Sequence, residues 1–202
     1  MNDFIVTPGA FVLYVIVATI TPGPNNVMLM TVGLTKGHGP AFRAGLGVST
    51  GWGFQVLLCS LGLGTAIGYV PGLSIAIELL GLAYLLWLAW HLWQADALGG
   101  AAPLLSFTGA FFFQWVNPKA LSMSLTTAGL FVVPATEGVP IRSALSVTTG
   151  CVLLCIPSTA TWALLGVFMQ RHLSTKTSVR TFNRVGAASL LATVIWLALS
   201  HG

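Results

Sequence analysis

Six long stretches of apolar residues, separated by short loops, constrain this chain more than any other feature of its sequence. A helix needs roughly 20 apolar residues to cross the hydrocarbon core of a membrane. The stretches lie at about 9–34, 44–70, 74–93, 106–133, 144–170 and 185–200. Charged residues make up 6% of the 202 residues, against roughly 25% in ordinary soluble domains. The sequence therefore predicts an all-α integral membrane protein with six transmembrane helices in a single domain spanning 1–202.

Proline and asparagine interrupt two of these stretches. ITPGPNNVML runs from Ile20 to Leu29 inside the first, and FFFQWVNPKALSM runs from Phe111 to Met123 inside the fourth. Proline inside a helix costs about 3 kcal/mol or more, because it lacks a backbone donor and clashes with the preceding turn. Non-helical backbone at membrane depth is tolerated where it is buried in protein or lines a cavity. We therefore predict that helices one and four are broken at a shared site, with a pair of ordinary packing kinks as the alternative.

Each break opens the first helix of a group of three. Three crossings reverse the side of the membrane on which the chain stands, so the second group enters the membrane in the opposite orientation to the first. Interrupted segments at corresponding positions of two halves are typical of inverted-repeat transporters with a site near the midplane. The sequence predicts two inverted three-helix repeats, at about 1–93 and 106–202, joined by a linker at 94–105.

The residues at both breaks suit the start of a half-helix inside the bilayer. Asn117 is a favourable N-cap and Pro118 suits the first helical position, and Gly23 and Pro24 repeat that arrangement. A half-helix start presents free N–H groups and the positive end of a helix dipole. The candidate substrate-binding and transport residues are Pro22, Gly23, Pro24, Asn25, Asn26, Gln114, Asn117, Pro118 and Lys119.

The breaks offer acceptors as well as donors. The carbonyls of Ile20 and Gln114, four residues before each proline, lose their helical partner and become available to a donor. An amino-acid zwitterion needs both kinds of group, donors for its carboxylate and acceptors for its ammonium group. Lys119 lies inside span four, where an uncompensated charge costs at least about 2.5 kcal/mol. It favours a substrate with a carboxylate, and a lysine bonded structurally to nearby carbonyls is the alternative.

The distribution of Lys and Arg predicts the orientation, because short cytoplasmic loops carry an excess of both. The loops between spans one and two and between spans five and six hold most of them, whereas the opposite side has only Arg142. Both termini are therefore predicted to face the periplasm. The basic residues on the predicted cytoplasmic side are Lys36, Arg43, Arg171, Lys176, Arg180 and Arg184.

Other residues that could take part in chemistry carry weaker signals. Glu78 is the one acidic residue plainly within a span. It is either a candidate for ion coupling or a surface residue at the membrane interface. Whether His91 takes part in transport is equally open. Cys151 and Cys155 lie one helical turn apart without a His or acidic residue in ligand spacing, so we expect no metal site and no cofactor. The scattered basic residues form no nucleic-acid-binding stripe.

Three other classes of function are alternatives to a transporter of small organic solutes. An intramembrane enzyme needs a nucleophile with a base or a metal with several ligands, and the sequence has no HExxH motif and too few acidic residues and histidines within its spans to build such a site. A metal-cation exporter or channel usually uses intramembrane carboxylates. A membrane scaffold that transports nothing would not explain two buried Pro-Asn breaks.

The chain resembles the lysine exporter (LysE/RhtB) type of amino-acid efflux protein. TPGPNN is followed by a short basic loop and the Gly-rich AGLGVSTG, and the match continues through AYLLWLAW, FQWVNPKA and FNRVGAASLL. The resemblance covers nearly the whole chain. It implies a six-helix secondary transporter of the bacterial inner membrane that exports amino acids or related metabolites, driven by the proton gradient. Its partners would be a small-molecule substrate and membrane lipid, with a homodimer as a candidate assembly.

Overall fold

The residues described by this computed structural model fold into eight α-helices, with no strand among them. The described residues are 8–63, 69–70, 72–94, 106–132, 141–170, 172 and 176–200. The helices are α1 (Pro8–Ile20), α2 (Pro24–Lys36), α3 (His38–Leu58), α4 (Leu73–Gln94), α5 (Phe107–Phe113), α6 (Pro118–Phe131), α7 (Ile141–Gln170) and α8 (Lys176–Ser200).

Several helices are long and apolar enough to cross a membrane. Among the described residues, His38–Leu63, Ile75–Gln94 and Ile141–Gln170 meet this test singly. The pair formed by α1 and α2 meets it together, with a bend of 58° at the break. The prediction of a helical chain with membrane-spanning helices is thus confirmed, and the first span is bent where its prolines lie. Three helices, or four with the bent pair, meet the test among the described residues, so the count of six stays a prediction.

Both interruptions lie at the predicted residues. α2 begins at Pro24 after Gly23, whose backbone is extended (φ −173°), and α6 begins at Pro118 after Asn117 (φ −91°, ψ 104°). Proline is tolerated at these positions because the first N–H of a helix has no intrahelical partner in any case. The sequence pairs Gly-Pro and Asn-Pro therefore start helices, as predicted.

α8 begins earlier than expected, at Lys176 rather than near residue 185. Its first turns carry polar and charged side chains, which a search for apolar stretches does not detect. Arg184 lies in this part of the helix, with its guanidinium carbon 5.1 Å from the centre of the Trp93 ring on α4. This contact ties the polar start of α8 to the end of α4.

α3 is regular as far as Leu58, and a π-helical turn continues it at Cys59–Leu63. Gly62 within that turn has φ of 108°. This left-handed conformation is accessible to glycine because it has no Cβ. Gly62 therefore marks a kink in the second predicted span, whose continuation to residue 70 lies partly outside the described residues.

α7 lies at the centre of the described helices. It packs against α1, α2 and α3, while α3 also packs against α5 and α6, and α4 packs against α8. Two apolar clusters fill the space between them. One is centred on Phe11, Val15, Trp52, Phe131, Val147 and Cys151, and the other on Val27, Met28, Leu85, Leu88, Phe113 and Leu190.

Two glycines allow α2 and α7 to touch backbone to backbone. An added Cβ at Gly166 on α7 would clash with the carbonyl oxygen of Met30 on α2. An added Cβ at Gly33 on α2 would clash with the carbonyl oxygen of Ala163 on α7. Small residues at such positions let membrane helices approach closely, and close packing drives their association.

Gly166→Ala is expected to destabilise the folded protein by about 1–3 kcal/mol, the usual cost of overpacking a close-packed interior. The measurement is thermal unfolding of the purified protein in detergent. Gly129→Ala is the matched control, because an added Cβ at Gly129 meets nothing within 4 Å and alanine is favoured over glycine in a helix. Equal melting temperatures for the two variants would contradict the close contact.

Candidate functional site

The two helix breaks meet through a pair of side-chain amides. Asn25, near the start of α2, donates from Nδ2 to Oε1 of Gln114 at 2.9 Å, and Gln114 donates from Nε2 to Oδ1 of Asn25 at 3.1 Å. Nε2 of Gln114 also donates to the carbonyl oxygen of Ala110 at 2.9 Å. Asn25 and Gln114 are 89 residues apart in the sequence. The structure thus joins the two breaks that the sequence marked separately.

A second glutamine extends this network to α3 and α6. Gln55 donates from Nε2 to the backbone carbonyl of Gln114 at 3.0 Å, and Ser124 donates from Oγ to Oε1 of Gln55 at 3.0 Å. All three residues are fully buried. The carbonyl of Gln114, expected to become available to a donor, therefore has a donor within the protein. Sequence reasoning did not identify Gln55 or Ser124, whose one signal was a polar side chain within an apolar span.

The carbonyls at the end of α1 are bonded by side chains from beyond that helix. Asn26 donates from Nδ2 to the carbonyl oxygens of Thr19 at 3.0 Å and Thr21 at 2.8 Å. Trp162 on α7 donates from Nε1 to the carbonyl oxygen of Ile20 at 3.3 Å. A helix end leaves carbonyls without intrahelical partners. The carbonyl of Ile20, like that of Gln114, is therefore bonded by the protein itself.

Lys119 reaches from the second break to the first. It is the second residue of α6, and its Nζ donates to the carbonyl oxygen of Thr21 at 2.8 Å and to that of Pro22 at 3.5 Å. An added Cβ at Gly23 would lie 3.0 Å from Cδ and 3.1 Å from Nζ of Lys119, so glycine leaves room for the lysine chain. The side chain is half-buried. A cation therefore lies where the two breaks meet.

Six of the nine candidate site residues line one small cavity between the breaks. Its volume is about 30 Å³, which is room for roughly two water molecules. It is too small for an amino acid in this conformation. The candidate residues that line it are Gly23, Pro24, Asn25, Asn26, Asn117 and Lys119, and the other lining residues are Ala18, Thr19, Val48, Trp52, Ala120, Met123, Cys155 and Thr159.

Two residues that line this cavity carry polar atoms without a hydrogen-bond partner in the described part of the chain. They are Oδ1 of Asn117 and Nε1 of Trp52, and the residues are 1% and 2% exposed. A buried polar atom left unpaired costs about 1–3 kcal/mol. Asn117 stands at the N-cap position of α6, yet its side chain makes no capping bond. Two residues that line the cavity together with Lys119 therefore carry one unpaired acceptor and one unpaired donor.

The remaining candidate residues lie around this cavity. Pro22 lines an outer groove together with Lys119, Gln114 holds Asn25, and Pro118 is buried at the start of α6. Glu78 belongs to α4, but its side chain lies outside the described residues, so its part in coupling stays a prediction. No group of three or more His, Cys, Asp or Glu that could hold a metal ion occurs among the residues that the structure describes.

Comparisons with known proteins identify relatives of this chain. A family model described as LysE type translocator matches residues 16–200. A cysteine/O-acetylserine efflux protein of Salmonella typhimurium (strain LT2) is 32% identical over 171 residues, covering 80% of this chain and 83% of that protein. A protein of the same description from Escherichia coli (strain K12) is 32% identical over 169 residues, with the same coverage. No solved structure matches the chain at a significant level.

Proposed function

The chain belongs to the LysE type translocator family, whose members are efflux transporters rather than enzymes, and we propose that it exports a small amino acid or a closely related metabolite across the bacterial inner membrane. The relatives are described as exporters of cysteine and O-acetylserine, which are small zwitterions. One observation carries the proposal: a lysine, a spare donor and a spare acceptor line a single cavity between two broken helices.

This cavity suits both charged ends of an amino acid. The ammonium group of Lys119 would exchange its bond to the Thr21 carbonyl for one to the substrate carboxylate, since charge-assisted hydrogen bonds are roughly twice as strong as neutral ones. Nε1 of Trp52 would donate to the same carboxylate. Oδ1 of Asn117 would accept from the substrate ammonium group. A bound zwitterion would thus satisfy the two buried atoms that have no partner in this conformation.

Matched contacts in the two halves support two inverted repeats and six crossings. In the proposed pairing, α1 with α2, α3 and α4 correspond to α5 with α6, α7 and α8. The carbonyl of Ile20, four residues before Pro24, accepts from Trp162 of α7. The carbonyl of Gln114, four residues before Pro118, accepts from Gln55 of α3. α7 packs on the first broken pair just as α3 packs on the second. Each break is therefore held by the second helix of the opposite half.

Alternating access is the proposed mechanism, and the size of the cavity supports it. A space of about 30 Å³ cannot admit an amino acid, so the site must enlarge toward one face of the membrane at a time as the repeats rock. We propose that the proton gradient drives the cycle, with Glu78 as the candidate coupling residue. The loop distribution of Lys and Arg supports a topology with both termini in the periplasm. Exposed apolar side chains such as Leu13, Leu153 and Phe168 would face lipid, or a second subunit in a homodimer.

Overproduction of the protein is expected to protect cells from at least one amino acid in toxic excess and to speed its efflux. The measurement is efflux from loaded vesicles over a panel that includes cysteine, O-acetylserine and other small amino acids. An uncoupler that collapses the proton gradient should slow it. Export of a divalent metal without any efflux from this panel would establish the metal-cation alternative, and the absence of both would favour a scaffold.

A further inference from the structure

A groove of about 580 Å³ lies beside the inner cavity, bordered by α1, the first break, α6 and α8. Six of its lining residues carry hydroxyl groups: Tyr14, Thr21, Ser122, Thr126, Ser189 and Thr193. Lys119 and Met123 line both the groove and the inner cavity. These two side chains therefore lie at the boundary between the small inner cavity and the larger groove.

Apolar atoms form most of the groove surface, and the six hydroxyl groups give water or a polar solute hydrogen-bond partners along it. Two of these hydroxyls, on Thr21 and Thr193, also donate to carbonyls of their own helices. On α6, Leu125 lies next to the groove residue Thr126 in the sequence. Leu125 is 41% exposed and lines neither the groove nor the inner cavity. On α8 the same contrast separates Thr193 from Ile195, which is 59% exposed. Each helix thus brings hydroxyl groups to the groove and has a large apolar side chain outside it.

The groove lies in the periplasmic half of the proposed topology. Its inner end is formed by Pro22 and Lys119 at the two breaks. Tyr14 precedes the first break on α1, and Thr126 follows the second break on α6. With both termini in the periplasm, these two positions and Thr193 all lie on the periplasmic side of the breaks. Under this single topology, residues from three helices therefore place the groove on the same face.

We infer that this groove is the route by which the substrate leaves the inner cavity for the periplasm, with the side chain of Lys119 at the boundary that the substrate crosses. The inference rests on the proposed function and topology. Hydroxyl groups both donate and accept, so they can replace water around either end of a zwitterion. Hydroxyl groups are uncharged, so they bind a zwitterion weakly. Lys119 is the one charged residue among those lining the groove.

Cysteine labelling from the periplasmic side tests this route. Thr126→Cys and Thr193→Cys are the test variants, and Leu125→Cys and Ile195→Cys are matched controls on the same helices. A charged, membrane-impermeant methanethiosulfonate reacts with thiolates, which form in water, so the groove variants should react at least about tenfold faster than the controls. The native Cys59, Cys151 and Cys155 are buried, so the unsubstituted chain gives the background.

Several outcomes would overturn the inference. Labelling of Thr126→Cys and Thr193→Cys as slow as that of the controls would mean that lipid or a second subunit covers the groove. Faster labelling from the cytoplasmic side of inverted vesicles would place the groove on the wrong face. Unchanged efflux after complete labelling of Thr126→Cys would show that the substrate does not pass there.

The labelling reaction needs no transport, so it is independent of the efflux assay. Fast periplasmic labelling together with at least about a tenfold loss of efflux, roughly 1.4 kcal/mol in the barrier, supports the route. If labelling is fast but no amino acid is exported by the unlabelled protein, the proposed substrate class falls and the exit-route inference falls with it. The groove then remains only as a water-filled space.

Discussion

Lys119→Met is expected to reduce export by about a hundredfold or more while leaving the protein folded in the membrane. Removing one partner of a buried charge pair costs about 2–5 kcal/mol, much of it from leaving the other charge unpaired. Methionine keeps the apolar stem but offers nothing to the substrate carboxylate. Lys119→Arg should restore export in part, because a planar guanidinium does not replace a compact ammonium group in a close site.

Efflux must be normalised to the amount of folded protein, because Lys119 also bonds the carbonyls of Thr21 and Pro22. A lysine that served only those carbonyls would lower the melting temperature on replacement and leave normalised efflux nearly unchanged. That result would remove Lys119 from the substrate site. Lys36→Met makes the same chemical change at an exposed helix end and is expected to retain export.

Gln114→Leu is expected to cost about 2 kcal/mol or more in folding stability and to abolish most export. Leucine fills a similar volume, but the side chain of Asn25 then loses both its acceptor and its donor, and each group buried without a partner costs about 1–3 kcal/mol. The two breaks would no longer be joined, so the cavity between them would lose its shape. Thermal unfolding and normalised efflux measure the two effects.

A double-mutant cycle identifies the bond between the breaks as the cause. Asn25→Leu combined with Gln114→Leu should be less destabilising than the sum of the single changes, with a coupling of about 0.5–3 kcal/mol. Strict additivity would argue against the amide pair. Gln94→Leu, at the exposed end of α4, controls for the chemical change alone.

The two breaks could be predicted from the sequence because their cost is local. Proline alone does not mark a helix start, since Pro157 lies inside α7. Pro24 and Pro118 do, because Gly23 and Asn117 directly before them suit the N-cap position. The early start of α8 escaped prediction for a related reason. Apolar content reports burial in hydrocarbon rather than helix formation, and the first turns of α8 are polar.

The partners of the breaks could not be predicted, because nothing local links a donor to a distant acceptor. Gln55 bonds a carbonyl 59 residues away, and Trp162 bonds one 142 residues away. In the sequence, Trp52 resembles any core residue of an apolar stretch. The lack of a hydrogen-bond partner at its indole nitrogen is visible only when the surrounding atoms are known. Such pairings depend on how α3 and α7 lie against the broken helices, which is a property of the whole fold.

Lys119 belongs to one break and has no counterpart in the other. In the proposed pairing, Gly23-Pro24-Asn25 corresponds to Asn117-Pro118-Lys119, so a neutral amide on one side faces a cation on the other. A transporter made of two identical inverted halves would have the same energy whether it opens to one face of the membrane or to the other. One unmatched charge removes that degeneracy, so the two openings need neither equal populations nor equal affinity for the cargo. If the two halves are the inverted repeats proposed above, a single side chain makes the two faces of the transporter chemically different.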